Sequence, residues 1–132
     1  MHARDLPASP FDELIGTEWL DDDPDQARAR IAVRPDLLQP VGLVHGGIVS
    51  TLVESVCSRA TALAVAAEGM TVMGQSIDVS FLKPTREGHI EVAARARHRG
   101  RTTWIWEAEA TNSSGELCAL ARMTVAVRPR PS

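Results

Sequence analysis

The sequence predicts an α+β domain in which an antiparallel sheet wraps one long central helix. Three observations carry this. The stretch from residue 46 to about 67 contains no proline and, after two opening glycines, no internal glycine, and its apolar residues recur at three- and four-residue spacing. Four segments that follow it alternate apolar and polar residues with the period of a strand. Two shorter segments of strand character precede it. Two strands, a long helix and four strands sort into a sheet packed on a helix.

Residues 1–10 hold two prolines and little apolar periodicity, a loose lead-in. Residues 11–128 form a single domain and 129–132 a short tail. Phe11 to Ile15 follows a Ser-Pro start signal and predicts a short helix. Thr17 to Leu20 and Gln26 to Val33 predict a strand pair, joined across the acidic run DDDPD, which we expect as a solvated turn. Pro35 and Pro40 bracket a connector that delivers Gln39 just ahead of His45. In the helix, Ile48, Leu52, Val56 and Leu63, flanked by Val49, Val53 and Ala60, define the buried face. Glu68 and Gly69 end it. Gln75 to Leu82 predicts a half-buried strand with Ile77, Val79 and Phe81 inward. His89 to His98 turns Ile90, Val92, Ala94 and Ala96 inward, Thr102 to Thr111 turns Trp104 and Trp106 inward, and Leu117 to Val127 closes the set after an NSSG turn. Trp104 and Trp106 are read as core before they are read as an aryl pocket. Strand order is not legible from pattern.

Composition narrows the function. The chain has 132 residues, 44% of them apolar, enough for a core in one domain. A net charge of −3 disfavours a nucleic-acid binder. We find no signal sequence and no apolar run near 18 residues, and so expect a cytoplasmic protein with no membrane partner. Cys57 and Cys118 show neither metal-ligand nor disulfide spacing, and are expected as reduced, packed thiols with no metal site.

The chemistry gathers around the helix. Gly46 and Gly47 uncover its first backbone N–H groups, which with the positive end of the helix dipole suit an oxyanion. Glu54 interrupts the apolar face, and Ser58, one turn later, shares its side. A buried carboxylate is costly unless partnered or functional. Gly46 and Glu54 are separated by roughly 12 Å along the axis at the rise of an α-helix, too far for both to serve one carbonyl and its attacking water. Two copies packed antiparallel solve this, pointing to a homodimer whose site combines Gly46 of one subunit with Glu54 of the other. His45 either caps the helix or positions substrate. Arg95, Arg97, Arg99 and Arg101 alternate, with His98 and Gly100 between them and no acid from Ala93 to Trp106. On an unbroken strand they share one face, either solvated or suited to phosphate. Asp78 is read as a solvated strand residue or a contact to ligand or partner.

The set of Gln39 six residues before His45, the HGG at 45–47, Glu54 nine residues after the histidine and Ser58 four beyond resembles the hotdog-fold acyl-CoA thioesterases. The likeness is to their PaaI-like branch, which includes hydroxybenzoyl-CoA, dihydroxynaphthoyl-CoA and phenylacetyl-CoA type enzymes, and spans about Phe11 to Val127. It implies the hotdog fold and hydrolysis of a CoA thioester of an aryl or medium-size acyl group. In that scheme the Gly46 N–H polarises the thioester carbonyl, Gln39 and His45 help to position it, Glu54 is base or nucleophile, and Ser58 assists water. Gly47, His98, Arg99, Gly100 and Arg101 hold coenzyme A. No cofactor is implied beyond the coenzyme A of the substrate, and a homotetramer built from homodimers is. A non-catalytic acyl-CoA-binding or regulatory hotdog domain and a hotdog hydratase or dehydratase are the competing readings.

Overall fold

The computed structural model describes residues 6 and 9–131, so most of the expected lead-in lies outside the described residues. Helix α1 (Pro10–Ile15) begins with the Ser9 side chain accepting the Asp12 N–H and ends at Gly16, whose φ of 79° only glycine adopts cheaply. Strands β1 (Glu18–Asp23) and β2 (Gln26–Ala32) form a hairpin. Helix α2 (Gly46–Val65) follows, continued by a 3₁₀ turn over Ala66–Glu68. Strands β3 (Met70–Phe81), β4 (His89–Arg99), β5 (Thr103–Asn112) and β6 (Leu117–Pro129) complete a six-stranded antiparallel sheet of order β1-β2-β4-β5-β6-β3.

The inner face of the sheet curls around α2. Alanines at 27, 29, 108 and 110 are buried and let the helix approach the middle strands closely. Larger residues, Ile31, Ile90, Val92, Met123 and Val125, fill the space on either side of its buried face, which carries Val49, Leu52, Val53, Val56, Cys57 and Ala60. Ile48 and Leu63, expected within that face, are only half-buried, because the face rotates toward Thr61 and Val65. Trp104 and Trp106 are core, their ring centroids 6.1 Å apart. Trp106 satisfies its indole N–H by donating to Thr61 Oγ1 at 2.9 Å, and that hydroxyl donates to the Cys57 carbonyl at 2.7 Å. Cys57 and Cys118 are free, buried thiols, and burial pushes the Cys57 thiol up.

Four expectations are corrected. The acidic run is mostly strand, with the turn confined to Pro24 and Asp25. Asp21 pairs with Arg28 at 2.6 Å, and Asp22 pairs at 3.0 Å with Arg59 of α2, which also lies 4.4 Å over the Trp19 ring. Strand β3 starts at Met70, carries a bulge between Gly74 and Ser76, and is exposed along most of its length, with Ile77 at 38% and Phe81 at 57%. It is the sheet edge, bonded among the described residues only to β6, and runs alongside α2. The arginine stripe is also broken. A bulge between Ala96 and His98 sets Arg99 opposite Trp104 on the inner side, and the backbone turns at 100–102 before Arg101 can rejoin it. Finally, Gly46–Glu68 is long and apolar enough, by length and composition, to cross a membrane, although no such run was expected; here its buried face lies against the sheet.

Candidate active site

The helix start is assembled by short contacts. His45 occupies the N-cap with extended backbone (φ −61°, ψ 131°), and its Nδ1 accepts the Gly47 N–H at 2.9 Å. An accepting Nδ1 places the proton of the neutral ring on Nε2, which leaves that N–H as a donor on an exposed side chain. The Gly47 N–H is therefore not the free donor that the two glycines promised. The Gly46 N–H is: it has no partner among the described residues. Both glycines sit at close approach, Gly46 against the far end of an exposed ring. A Cβ on Gly47 would stand 3.0 Å from His45 Nδ1, and one on Gly46 would stand 2.9 Å from Phe81 Cζ.

Gln39 sits in a compact loop closed by Gln39 N–H to the Leu43 carbonyl at 2.7 Å, Gly42 N–H to the Gln39 carbonyl at 2.9 Å, and Val44 N–H to the Thr85 carbonyl at 2.8 Å. Its Oε1 accepts the Val41 N–H at 3.1 Å. Gln39 and Gly46 line one cavity of about 360 Å³ with Leu43, Val44, Val49, Phe81, Leu82, Lys83, Pro84, Thr85, Ile90 and Cys118. On the other side of the helix start, His45, Gly47, Ile48 and Thr51 face Phe11 of α1 across a second cavity of about 390 Å³. A larger concavity, about 680 Å³, lies on the outer face of the sheet among Asp78, Arg95, Glu107 and Arg122 and contains none of the expected catalytic residues.

Glu54 is exposed and lies along β3, its Cδ and Cγ 4.0 Å from where a Cβ on Gly74 would be. The expectation of a carboxylate buried within one chain is thus corrected. It makes no hydrogen bond or ion pair among the described residues. Ser58 is half-buried one turn on. Ser50, Thr51 and Thr61 each donate to the carbonyl four residues back, whereas the Ser58 hydroxyl does not and stays uncommitted.

The basic group is elsewhere. Ile90, in the Gly46 cavity, and Arg99 lie on the same strand nine residues apart, which is about 30 Å at the rise of a strand. Arg99 forms a close ion pair with Asp25 and lies 5.9 Å over the Trp104 ring. Arg101 is exposed and makes no ion pair among the described residues. Gly100 is a turn glycine, since a Cβ there would stand 2.6 Å from the Thr103 carbonyl and 2.6 Å from His98 Nε2. Arg97 pairs loosely with Glu107 at 3.8 Å. One chain therefore brings together Gln39 with Gly46, His45 with Gly47, and Glu54 with Ser58, but holds His98 to Arg101 at the opposite end of the sheet. Among the described residues no group of three or more His, Cys, Asp or Glu side chains is placed to hold a metal ion.

The sequence reasoning overlooked Thr85 and Cys118 as cavity residues and took Phe81 for a packed strand residue. Its only available signal was the Lys83-Pro84 break, which marks where β3 leaves the sheet and its loop folds back over the helix start.

The family model described as Thioesterase superfamily matches residues 41–119, spanning the HGG loop, α2 and β3 to β5. A 1,4-dihydroxy-2-naphthoyl-CoA hydrolase of Escherichia coli is 32% identical over 103 residues, covering 78% of this chain and 75% of its own. The crystal structure of a mutant thioesterase from Pseudomonas aeruginosa superposes with a TM-score of 0.87 at 32% identity, covering 91% of this chain and 86% of that one. The PaaI protein of the E. coli phenylacetic acid degradation operon shares the fold, with a TM-score of 0.82 at 20% identity over 94% of this chain and 87% of its own.

Proposed function

The chain belongs to the thioesterase superfamily, with the hotdog fold and the PaaI-like character that the motif set implied, and from that premise we propose that it hydrolyses a compact acyl-CoA thioester at a site shared between two subunits. The observation that carries the proposal is the pairing of an unpartnered Gly46 N–H, inside a cavity at a helix N-terminus, with an unpartnered Glu54 carboxylate two turns along the same helix. The thioester carbonyl oxygen accepts from the Gly46 N–H, with the His45 Nε2–H at the same mouth. As water adds, negative charge develops on that oxygen, and a preorganised donor lowers the barrier by about 3 kcal/mol. Glu54 of the second subunit takes the proton of the attacking water, or attacks the carbonyl itself to give an anhydride that water then opens. Either way water is consumed, the C–S bond breaks, and the free acid and coenzyme A leave. Ser58, with its hydroxyl uncommitted, hydrogen-bonds the water.

The edge strand supports the pairing of subunits. An unpaired edge twelve residues long, with Ile77 and Phe81 exposed on the helix side, is a surface that a folded protein covers. A second copy joined antiparallel at this edge lays its helix beside the first in the opposite direction. It also swings its own His98 to Arg101 turn toward the first copy's Gly46, where Arg101 and His98 meet the phosphates of coenzyme A. Two such dimers form a tetramer through the outer face. Its cross-strand row Asp78, Arg122, Glu107, Arg95 alternates in charge, so the row reversed is complementary to itself.

The cavity volume, near the low end of the range of about 300–1,000 Å³ for ligand pockets, points to an aryl or medium-size acyl group. Thiol release from a panel of acyl-CoA esters, followed with Ellman's reagent, tests the reading. Turnover of aryl and medium-chain esters above palmitoyl-CoA is expected; no turnover of any ester contradicts it.

A further inference from the structure

Resting on the acyl-CoA reading above, we infer that Thr85 is a specificity-determining residue that recognises a hydroxyl group on the distal part of the acyl moiety. An acyl group whose carbonyl sits at Gly46 runs into the cavity that Gly46 lines, between Val44, Val49, Phe81 and Ile90. That wall is apolar. Of the polar side chains around it, Gln39 Oε1 is engaged by the Val41 N–H, and Lys83 is held in a close ion pair by Glu116. Hydrogen bonds from Lys83 and Asn112 keep the Glu116 carboxyl below its ordinary range. Thr85 differs. Its side chain is buried, with 7% of the residue exposed, and its hydroxyl meets only the Cys118 sulfur at 3.4 Å. Cys118 in turn donates its single proton to the Glu116 carbonyl at 3.4 Å.

The consequence is an under-used acceptor. Thr85 lines the cavity and shares one weak contact with the Cys118 sulfur, in which either group can donate, so at least one lone pair of Oγ1 stays unused among the described residues. A ligand hydroxyl that reaches it makes a hydrogen bond without breaking one. An acyl group lacking the hydroxyl leaves the Thr85 oxygen dry and unpaired, which a polar-lined pocket penalises more than an apolar pocket penalises an extra hydroxyl.

The test uses matched ester pairs with and without a hydroxyl: benzoyl-CoA against its 2-, 3- and 4-hydroxy derivatives, and hexanoyl-CoA against 3-hydroxyhexanoyl-CoA. Each pair is measured on the wild-type protein, the isosteric Thr85→Val variant and Thr85→Ser. The wild type should favour at least one hydroxylated member by about tenfold in kcat/KM. Thr85→Val should abolish that preference, lowering kcat/KM for the hydroxylated ester and raising it for the unsubstituted one, and Thr85→Ser should retain it. Equal kcat/KM within every wild-type pair, or a preference that survives Thr85→Val, overturns the inference while the thioesterase reading stands. If Thr85→Val does not fold, loss of the preference in Thr85→Ser, which keeps the hydroxyl, overturns it instead. No hydrolysis of any ester removes the thioesterase reading and this inference with it.

Discussion

At the scale of single residues, His45 and Glu54 make opposite predictions. His45 takes up an orphan N–H of α2, and losing such a cap costs about 1 kcal/mol. His45→Ala should therefore lower stability by about that amount in urea titration, whereas His45→Asn, which also caps well, should restore stability without restoring full turnover; equal stability of all three proteins would show that the cap is idle. Glu54 is exposed and touches no charged partner among the described residues. Glu54→Gln should leave the melting temperature unchanged or higher and lower kcat by at least about 100-fold; a drop in melting temperature with kcat preserved would make the residue structural. The residues proposed to carry this chemistry were legible because such groups form local patterns: HGG ahead of a helix, and Glu54 with Ser58 one turn apart. What His45 does with its ring was not legible, because a cap and a substrate contact require the same residue at the same place. Thr85 was invisible for the converse reason, since only the folded loop brings it to Cys118, thirty-three residues away.

At the scale of elements, period-two alternation located β4, β5 and β6 and the inward side of each, down to Trp104 and Trp106. Alternation failed where the ladder itself is irregular. The bulge after Ala96 moves Arg99 to the inner side and dissolves the apparent stripe of arginines, and no local signal announces it, because a bulge is a property of two strands. Burial of β3 was misjudged for a similar reason: Ile77, Val79 and Phe81 do point to the helix side, but a strand at the sheet edge is flanked by a neighbouring strand on one side only. The division of labour in the β4–β5 turn follows. Arg99 is committed to Asp25, while Arg101 is uncommitted. Arg101→Ala should raise KM for a CoA ester about tenfold and leave KM for the corresponding pantetheine thioester unchanged. Arg99→Ala should act on stability first. Equal effects of Arg101→Ala on both substrates would remove the phosphate assignment.

At the scale of the molecule, one chain is a complete fold and, on the proposed mechanism, an incomplete site. Its core closes around α2, yet the donor at Gly46 and the acid at Glu54 stay apart, the basic turn stands at the far end of the sheet, and the edge strand lies bare. The proposed antiparallel association at β3 would answer all three at once. Ile77→Lys on that edge should shift the protein toward monomer in sedimentation velocity and lower activity in proportion, with the monomer still folded by circular dichroism. Activity undiminished in the monomer would separate assembly from catalysis. The helix, with its N-terminal donor and its carboxylate, was readable in sequence, and helical rise alone sets those two groups too far apart for one carbonyl, which is the basis of the two-copy proposal. Which strand is left at the edge was not readable, because sheet order decides it.

The most direct measurement is subunit complementation. One inactive chain carries Glu54→Gln. The other carries Gly46→Pro, which removes the N–H at a helix position where proline is tolerated and follows a residue already in the extended region proline requires. This second chain also carries Phe81→Ala to relieve the contact at 2.9 Å. Mixed under conditions that exchange subunits, half of the dimers are hybrids, and each hybrid holds one intact site. The account predicts recovery of about a quarter of the wild-type activity, since the intact site of each hybrid takes Gly46 and Phe81 from the chain that carries Glu54→Gln. No recovery, with hybrid dimers shown to form by native mass spectrometry, would contradict it.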